Sequence, residues 1–448
     1  MKQKKYIISF LLLTASMATS AQTADSLNYS FSLKQAVDYA LAHQTAVLNA
    51  AVDEEIAKNT VKKTVAIGLP QVSANFNFQD FLKVPTNLLP GEFFGQPGTQ
   101  IPVKFGVKYN SSAGIELNQL IFDGSYIVGL QAAKTYKELS ARLTTRTKIE
   151  TAVAVTKAYY SVLVSAEQLT LADANLKRLT KSLTEAEAMF KNGFSEKIDV
   201  DRLQVLKNNQ ETDLENVTRM LSVNLDMLKF QMGMPVEARL VTTDKIIDVR
   251  KASTVNVIKD TASYKGRIEY SLLETQQKIN EFSLKQEKSR FLPSLSGFAS
   301  ATKSFQSDSF TELYDRNFPT SVIGLKLTWN IITGGQRIYD VRNARLAVVK
   351  TRNDLFNLKN NINGEVATTR RLLENSLRSA DNQDRNLKLS REILRVAQIK
   401  YQQGVGSSLE VTTAESSLKE AENNYIKALY DLLINKVDLD KATGKINY

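Results

Sequence analysis

The chain has 448 residues, is 43% apolar and carries a formal charge of +11. That is enough apolar residue for a large core and too little for a bundle of membrane helices. Cysteine is absent and there is one histidine, so disulfides and thiolate metal sites are excluded and imidazole chemistry rests on His43 alone.

Residues 1–21 read as a secretory signal peptide. Lys2, Lys4 and Lys5 precede an apolar run from Tyr6 to Ala18, and Thr19-Ser20-Ala21 supplies small residues before Gln22. A membrane anchor is the alternative, but the run falls short of the roughly 20 residues that span a bilayer. The remaining basic charge alternates with acids along helical segments. That pattern reads as solvated helix faces and gives no nucleic-acid partner.

The first helix begins at Ser32, which with Gln35 forms a capping box, and runs to about Ala66 before Leu69-Pro70. It carries His43, read as a packing or surface residue near Tyr39 and Val47. After Pro70 the apolar period becomes two. Val72, Ala74, Phe76 and Phe78 alternate with Ser73, Asn75, Asn77 and Gln79. A second strand alternates through Phe105, Val107, Tyr109, Ala113, Ile115 and Leu117. Val84 to Pro102, rich in proline and glycine, reads as an outward loop. One apolar and one polar face suit a membrane-barrel strand. A sheet half-buried on a helix layer gives the same alternation.

From Gly124 to about Lys191 there is no proline. Val155, Val162, Leu169, Leu176, Leu183 and Phe190 recur every seventh residue, with Ala172, Leu179 and Ala186 on the second seam. Such heptads predict a left-handed coiled coil, and a helix of that length spans about 100 Å. Gly193 turns the chain into a medium helix that ends near Gly233.

This plan then repeats, roughly 210 residues on. A helix from Ser263 to Arg290 meets Leu292-Pro293. Leu295 to Ala301 is the weakest strand, being rich in Ser, Gly and Ala. Ser304 to Thr320 reads as a polar loop. Ile323, Leu325, Leu327, Trp329 and Ile331 alternate in the fourth strand. Val366, Leu373, Ala380, Leu387, Leu394 and Tyr401 carry the second heptad run to Gly404. The expected organisation is a signal peptide at 1–21, a first repeat at 22–233, a linker at 234–262 and a second repeat at 263–448. The fold class is mainly α with a membrane β-barrel portion: a long coiled-coil α-barrel plus four barrel strands per protomer. Four strands cannot close alone, because single-chain barrels begin at eight, so the chain is expected to oligomerise.

The order helix–strand–strand–long helix–turn–helix, twice over, resembles the TolC family of outer-membrane efflux proteins. The resemblance rests on Leu69-Pro70, Leu292-Pro293, Phe122-Asp123-Gly124, Ile332-Thr333-Gly334-Gly335, and the tips Phe190–Gly193 and Tyr401–Gly404. It implies a homotrimer in the outer membrane with a large periplasmic part. Its partners would be a periplasmic adaptor and an inner-membrane RND or ABC transporter. The linker would form an equatorial collar. The family's acids six and nine positions after the second tip glycine ring a closed entrance; Glu410 matches the first and Thr413 departs at the second. Tip residues Gly193, Phe194, Gly404, Val405 and Gly406 would meet the adaptor, although turn geometry alone also explains the glycines. Ser407 and Glu410 also read as a capping box, and Asp199 and Asp201 as acids suited to a helix N-terminus. No cofactor is expected and no enzyme template is met. Cargo is left open between small-molecule efflux and type I protein secretion, and a non-pore coiled-coil envelope protein is the reading of another class.

Overall fold

The computed structural model describes residues 28–95, 97–246, 264–446 and 448. The expected leader at 1–21 and residues 247–262 of the expected linker lie outside them. In chain order the elements are β1 (Asn28–Phe31), α1 (Leu33–His43), α2 (Thr45–Ile67), β2 (Gln71–Asp80), β3 (Thr86–Pro90), β4 (Gln100–Lys104), β5 (Tyr109–Phe122), α3 (Gly124–Lys191), α4 (Lys197–Met232), β6 (Arg239–Thr242), α5 (Ile268–Ser289), β7 (Ser294–Ser307), β8 (Asn317–Thr328), α6 (Gln336–Gln402) and α7 (Ser408–Thr443).

The two long helices, α3 with 68 residues and α6 with 67, run from the sheet to the far tips. Asp123 starts α3 by accepting from the Tyr126 amide at 2.9 Å. At the equivalent start of α6, Gly334 and Gly335 turn the chain with positive φ. The middle of the second heptad run is inward: Leu387 and Leu394 pack with Val411, Ala414 and Leu418 of α7, while Leu373 and Ala380 join the mid-height core with Ile426 and Leu429. In the first half Val155, Val162 and Leu183 are buried, with Ala172, Leu179 and Ala186 on the second seam. The largest core lies at mid-height, where Tyr159, Leu228, Met232, Leu429 and Leu432 meet.

One antiparallel sheet, ordered β2-β5-β7-β8, caps this helical body. Val72, Ala74 and Phe76 share its apolar face with Ala113, Ile115, Leu117, Ala299, Ala301, Ile323 and Leu325. Ser73, Asn75, Glu116, Ser300, Thr302 and Lys326 share the polar one. α2 packs on α3, α3 on α5, and α5 on α6, so the helices continue the strand order below the sheet. Nearer the tips the order becomes α4, α3, α7, α6.

Several boundaries differ from expectation for identifiable reasons. The first helix is two: Gln44 is extended (ψ 124), held there as its amide donates to the Phe230 and Gln231 carbonyls at 3.2 and 3.0 Å. Phe105 and Val107 precede β5, because Gly106 bends the chain at φ 110. The segment read as loop instead pairs β3 with β4. Trp329 and Ile331 follow β8, since β7 starts only at Ser294 and offers them no partner. Strand β7, weakest in sequence, is 14 residues long and central. Its small residues make room for larger neighbours: a Cβ at Gly297 would sit 3.4 Å from Ile121. β1 and β6, neither expected, pair in parallel at mid-height.

On the polar face Phe298 lies across Gly324, whose added Cβ would be 2.7 Å from the ring. Gly324→Val is therefore expected to cost about 1–3 kcal/mol of overpacking. Thermal unfolding of the variant should fall by several degrees, and Phe298→Ala in the same chain should restore most of it.

Candidate functional site

The two tips are built alike. Each long helix ends in a residue near φ −90, then a left-handed glycine, Gly193 at φ 78 and Gly404 at φ 73, with open space where a side chain would project. Each glycine is followed by one strongly exposed apolar residue, Phe194 or Val405, 83% and 78% exposed. Gly406 differs. Its amide donates to the Lys400 carbonyl at 3.1 Å, and a Cβ there would lie 2.8 Å from Lys400 Cβ. Close packing on the last turn of α6 therefore requires this glycine, and its backbone donor is already used.

Only half of the expected second capping box forms. Ser407 Oγ accepts from the Glu410 amide at 3.2 Å, and the reciprocal bond is absent. The Glu410 carboxylate is thus left to solvent. Glu410 and Thr413, one turn apart on α7, line an open cleft of about 740 Å³ together with Glu392, Ile393 and Lys400. Asp199 takes the helix N-terminal place expected of it and adds a second task. It closes a capping box with Glu196 and also accepts a hydrogen bond from Ser408 Oγ, which ties the two tip hairpins together.

Further cross-ties rise from the tips. Arg178 on α3 clamps Glu415 on α7, Nε donating at 3.1 Å to both oxygens and Nη2 at 2.9 Å to Oε2. Gln398 Nε2 adds a donor at 3.3 Å. Asn175 Nδ2 donates to Glu422 Oε2 at 2.6 Å, and Lys419 pairs with Asp213 on α4. Glu415 and Glu422 are both buried. An open cleft of about 550 Å³ lies beside Glu415. Sequence reasoning missed these residues. Glu415 and Glu422 sit seven apart, flanking the Val411–Ala414–Leu418–Ala421 seam, which is a readable sign of interhelical charge. Their α3 partners, Arg178 and Asn175, are more than 200 residues away and are not readable from spacing.

His43, read as a packing or surface residue, is exposed: its ring stacks on Tyr39 with centroids 4.0 Å apart, and Nδ1 lies 2.9 Å from the Tyr39 carbonyl. At mid-height Tyr159 donates to Asp244 Oδ2 at 2.9 Å, which binds β6's following turn to α3. Burial pushes the neighbouring Tyr160 hydroxyl up to about 12, helped by Asp440 and Asp244.

Among the described residues no helix is long and apolar enough to cross a membrane. The flanks of the molecule are left unpartnered along its height. β2 and β8 each keep an unpaired edge. Leu48, Val52 and Ile56 on α2, and Met220, Val223, Met227 and Phe230 on α4, form exposed stripes on one flank. Leu346, Val349, Phe356, Leu389, Ile393 and Val396 on α6 form the stripe of the other.

Over 296 residues the chain is 23% identical to the alkaline protease secretion protein AprF of Pseudomonas aeruginosa, a match covering 63% of this chain and 59% of that protein. The solved structure of CusC superposes with a TM-score of 0.74 at 17% identity, covering 92% of each chain. The MtrE outer membrane channel of Neisseria gonorrhoeae, solved in its open state, gives 0.72 at 18% identity, over 92% of this chain and 88% of that one. These likenesses are of fold. The profile described as outer membrane efflux protein matches residues 36–233 and 271–445, so that both halves are covered and the chain belongs to that family.

Proposed function

We propose that the chain is one protomer of a homotrimeric outer-membrane exit duct, a passive conduit for small molecules. The observation that carries this reading is the four-stranded sheet with one apolar face and two unpaired edges. Such edges cannot face hydrocarbon, because each unpaired backbone group is costly there. The edge of β8 in one copy meets the edge of β2 in the next. The α6 stripe of one copy likewise covers the α2 and α4 stripes of its neighbour. This head-to-tail contact closes into a ring. Three copies bring twelve strands around one pore. The helices extend the duct into the periplasm, where Phe194 and Val405 offer apolar knobs to an adaptor. The adaptor links the duct to an inner-membrane transporter of the RND or ABC class, which supplies the energy.

Glu410 forms the entrance ring in this reading, with Thr413 one turn further along. Three carboxylates at a narrow entrance favour cations. The purified trimer in planar bilayers is expected to give cation-preferring channels, and Glu410→Ala to lower that preference several-fold in reversal-potential measurements. Unchanged ion preference removes Glu410 from the gate. No channels even with adaptor and transporter present favours a non-pore envelope scaffold. The match to a protease secretion protein supports a second reading, an exit duct for type I protein secretion.

A further inference from the structure

The apolar face of the sheet carries one charged side chain within its span. Between the rows of Leu295 and Phe305 that face consists of uncharged residues, mostly apolar or small, except for Lys303 on β7. In register beside it stand Ala113 and, one strand further, Phe76 on one side, and Pro319 on the other. Thr302 and Asn75 crowd Gly114 on the polar face, whereas Ile121 and Leu325 crowd Gly297 on the apolar one. Lys303 is exposed, and it makes no ion pair with a carboxylate among the described residues.

Its height is informative. Eight residues separate Lys303 from Leu295 at the helix end of the strand, which for a tilted strand is about 20 Å along the barrel axis. The apolar band of such barrels is about 25 Å tall, so Lys303 stands just inside the outer boundary. Aromatic residues mark the same boundary. Phe305 follows two residues on and meets the Tyr314 ring at 5.1 Å. Phe78, Tyr109 and Phe310 form a cluster with centroids 5.6 to 6.4 Å apart. Aromatic rings gather where hydrocarbon meets headgroup. A lysine stem reaches about 6 Å, so the ammonium emerges at the level of these rings.

Resting on the membrane-duct reading, we propose that Lys303 binds the phosphate of an outer-leaflet lipid headgroup. A cation at this depth, beside an aromatic girdle and with no acidic partner among the described residues, is complementary to a phosphate anchored at the hydrocarbon boundary. The aromatic girdle holds the acyl chains and the ammonium holds the phosphate. In a trimer the site occurs three times around the outer rim. It lies near the β8 edge, so a bound lipid also covers the seam between protomers.

The test uses the full-length trimer in nanodiscs containing a phosphorylated glycolipid of the lipid A type or its enzymatically dephosphorylated form. Native mass spectrometry reads the lipids retained per trimer. The wild type is expected to retain the phosphorylated form several-fold more than the dephosphorylated one. Lys303→Gln should lose that difference, Lys303→Arg should keep it, and Lys326→Gln, on the polar face, should match the wild type. Equal retention of the two lipids by the wild type, or wild-type retention by Lys303→Gln, overturns the site and leaves an aromatic anchor only. Insertion is scored separately by flotation with vesicles. A chain that does not insert overturns both the duct and the site, whereas one that inserts without phosphate discrimination overturns the site alone.

Discussion

Arg178→Ala is expected to loosen the tip half of the molecule by about 3 kcal/mol, the low end for breaking a buried pair because Arg178 is partly solvated. The Glu415 carboxylate is 4% exposed and receives three of its four hydrogen bonds from this one guanidinium. Without Arg178 it keeps only the long bond from Gln398, and a buried charge is left without its counterion. The pair joins the α3–α4 hairpin to the α6–α7 hairpin, so its loss weakens a junction that keeps Asp199–Ser408, Asn175–Glu422 and Lys419–Asp213. Limited proteolysis should cut the tips of the variant several-fold faster while the sheet stays resistant. In bilayers, channel activity should rise. A double variant, Arg178→Met with Glu415→Leu, should recover most of the stability, since well-packed apolar groups replace a buried pair at little cost. If single and double variants are equally loosened, packing and not charge holds the hairpins together.

Arg267→Ala is expected to cost about 3–5 kcal/mol, more than the equivalent change in the other half of the chain. Arg267 is 6% exposed. Its Nη1 donates to the Ala442 carbonyl at 2.9 Å and to Glu365 at 3.1 Å, while Nε and Nη2 hold Glu269 at 2.9 and 3.1 Å. It therefore binds the C-terminal end of α7 to the start of α5. Gln44 occupies the corresponding place in the first half and donates to the end of α4 with a neutral amide. Gln44→Ala removes neutral bonds worth about 1 kcal/mol each. The close approach is shared: a Cβ on Gly233 would stand 2.8 Å from the His43 carbonyl oxygen, and one on Gly444 2.9 Å from that of Gly266.

Acid should expose the same cluster. Burial pushes the Glu269 carboxyl up, but the Arg267 hydrogen bonds and charge outweigh it and hold the group below its ordinary value. A depressed carboxylate stabilises the folded state above its unfolded pKa of about 4.3 and loses that contribution as pH falls through the folded value. Thermal stability of the wild type should thus drop below about pH 4, and Glu269→Gln should flatten that limb. A variant with an unchanged acid limb assigns the drop to other carboxylates.

Much of the architecture was readable from local patterns. The change to period two located β2 closely but only the second half of β8, which begins at Asn317 inside the segment read as a loop, and Leu69-Pro70 and Leu292-Pro293 located the helix ends. The heptads chose the buried seam: Leu373, Ala380, Leu387 and Leu394 are inward as their spacing requires. The glycines at both tips announced left-handed turns. These features depend on one element and its own side chains, so composition and spacing suffice.

What spacing could not reach was partner choice. β7 looks weak because its small residues are explained only by Ile121 and Leu325, which lie on neighbouring strands. Gln44 breaks a helix without proline or glycine because carbonyls of α4 reward its extended backbone. Both Glu410 and Asp199 looked like capping acids, but only Asp199 closes its box, and it also takes a bond from Ser408 on the other hairpin. The sequence by itself determined the repeat, the coiled helices and the two-faced strands, since periodicity is a local consequence of burying one face. Only the tertiary structure decided which of these faces meet and which buried charges pair, and left β2, β8 and their helical stripes open, because contacts between residues hundreds of positions apart depend on how the whole chain closes.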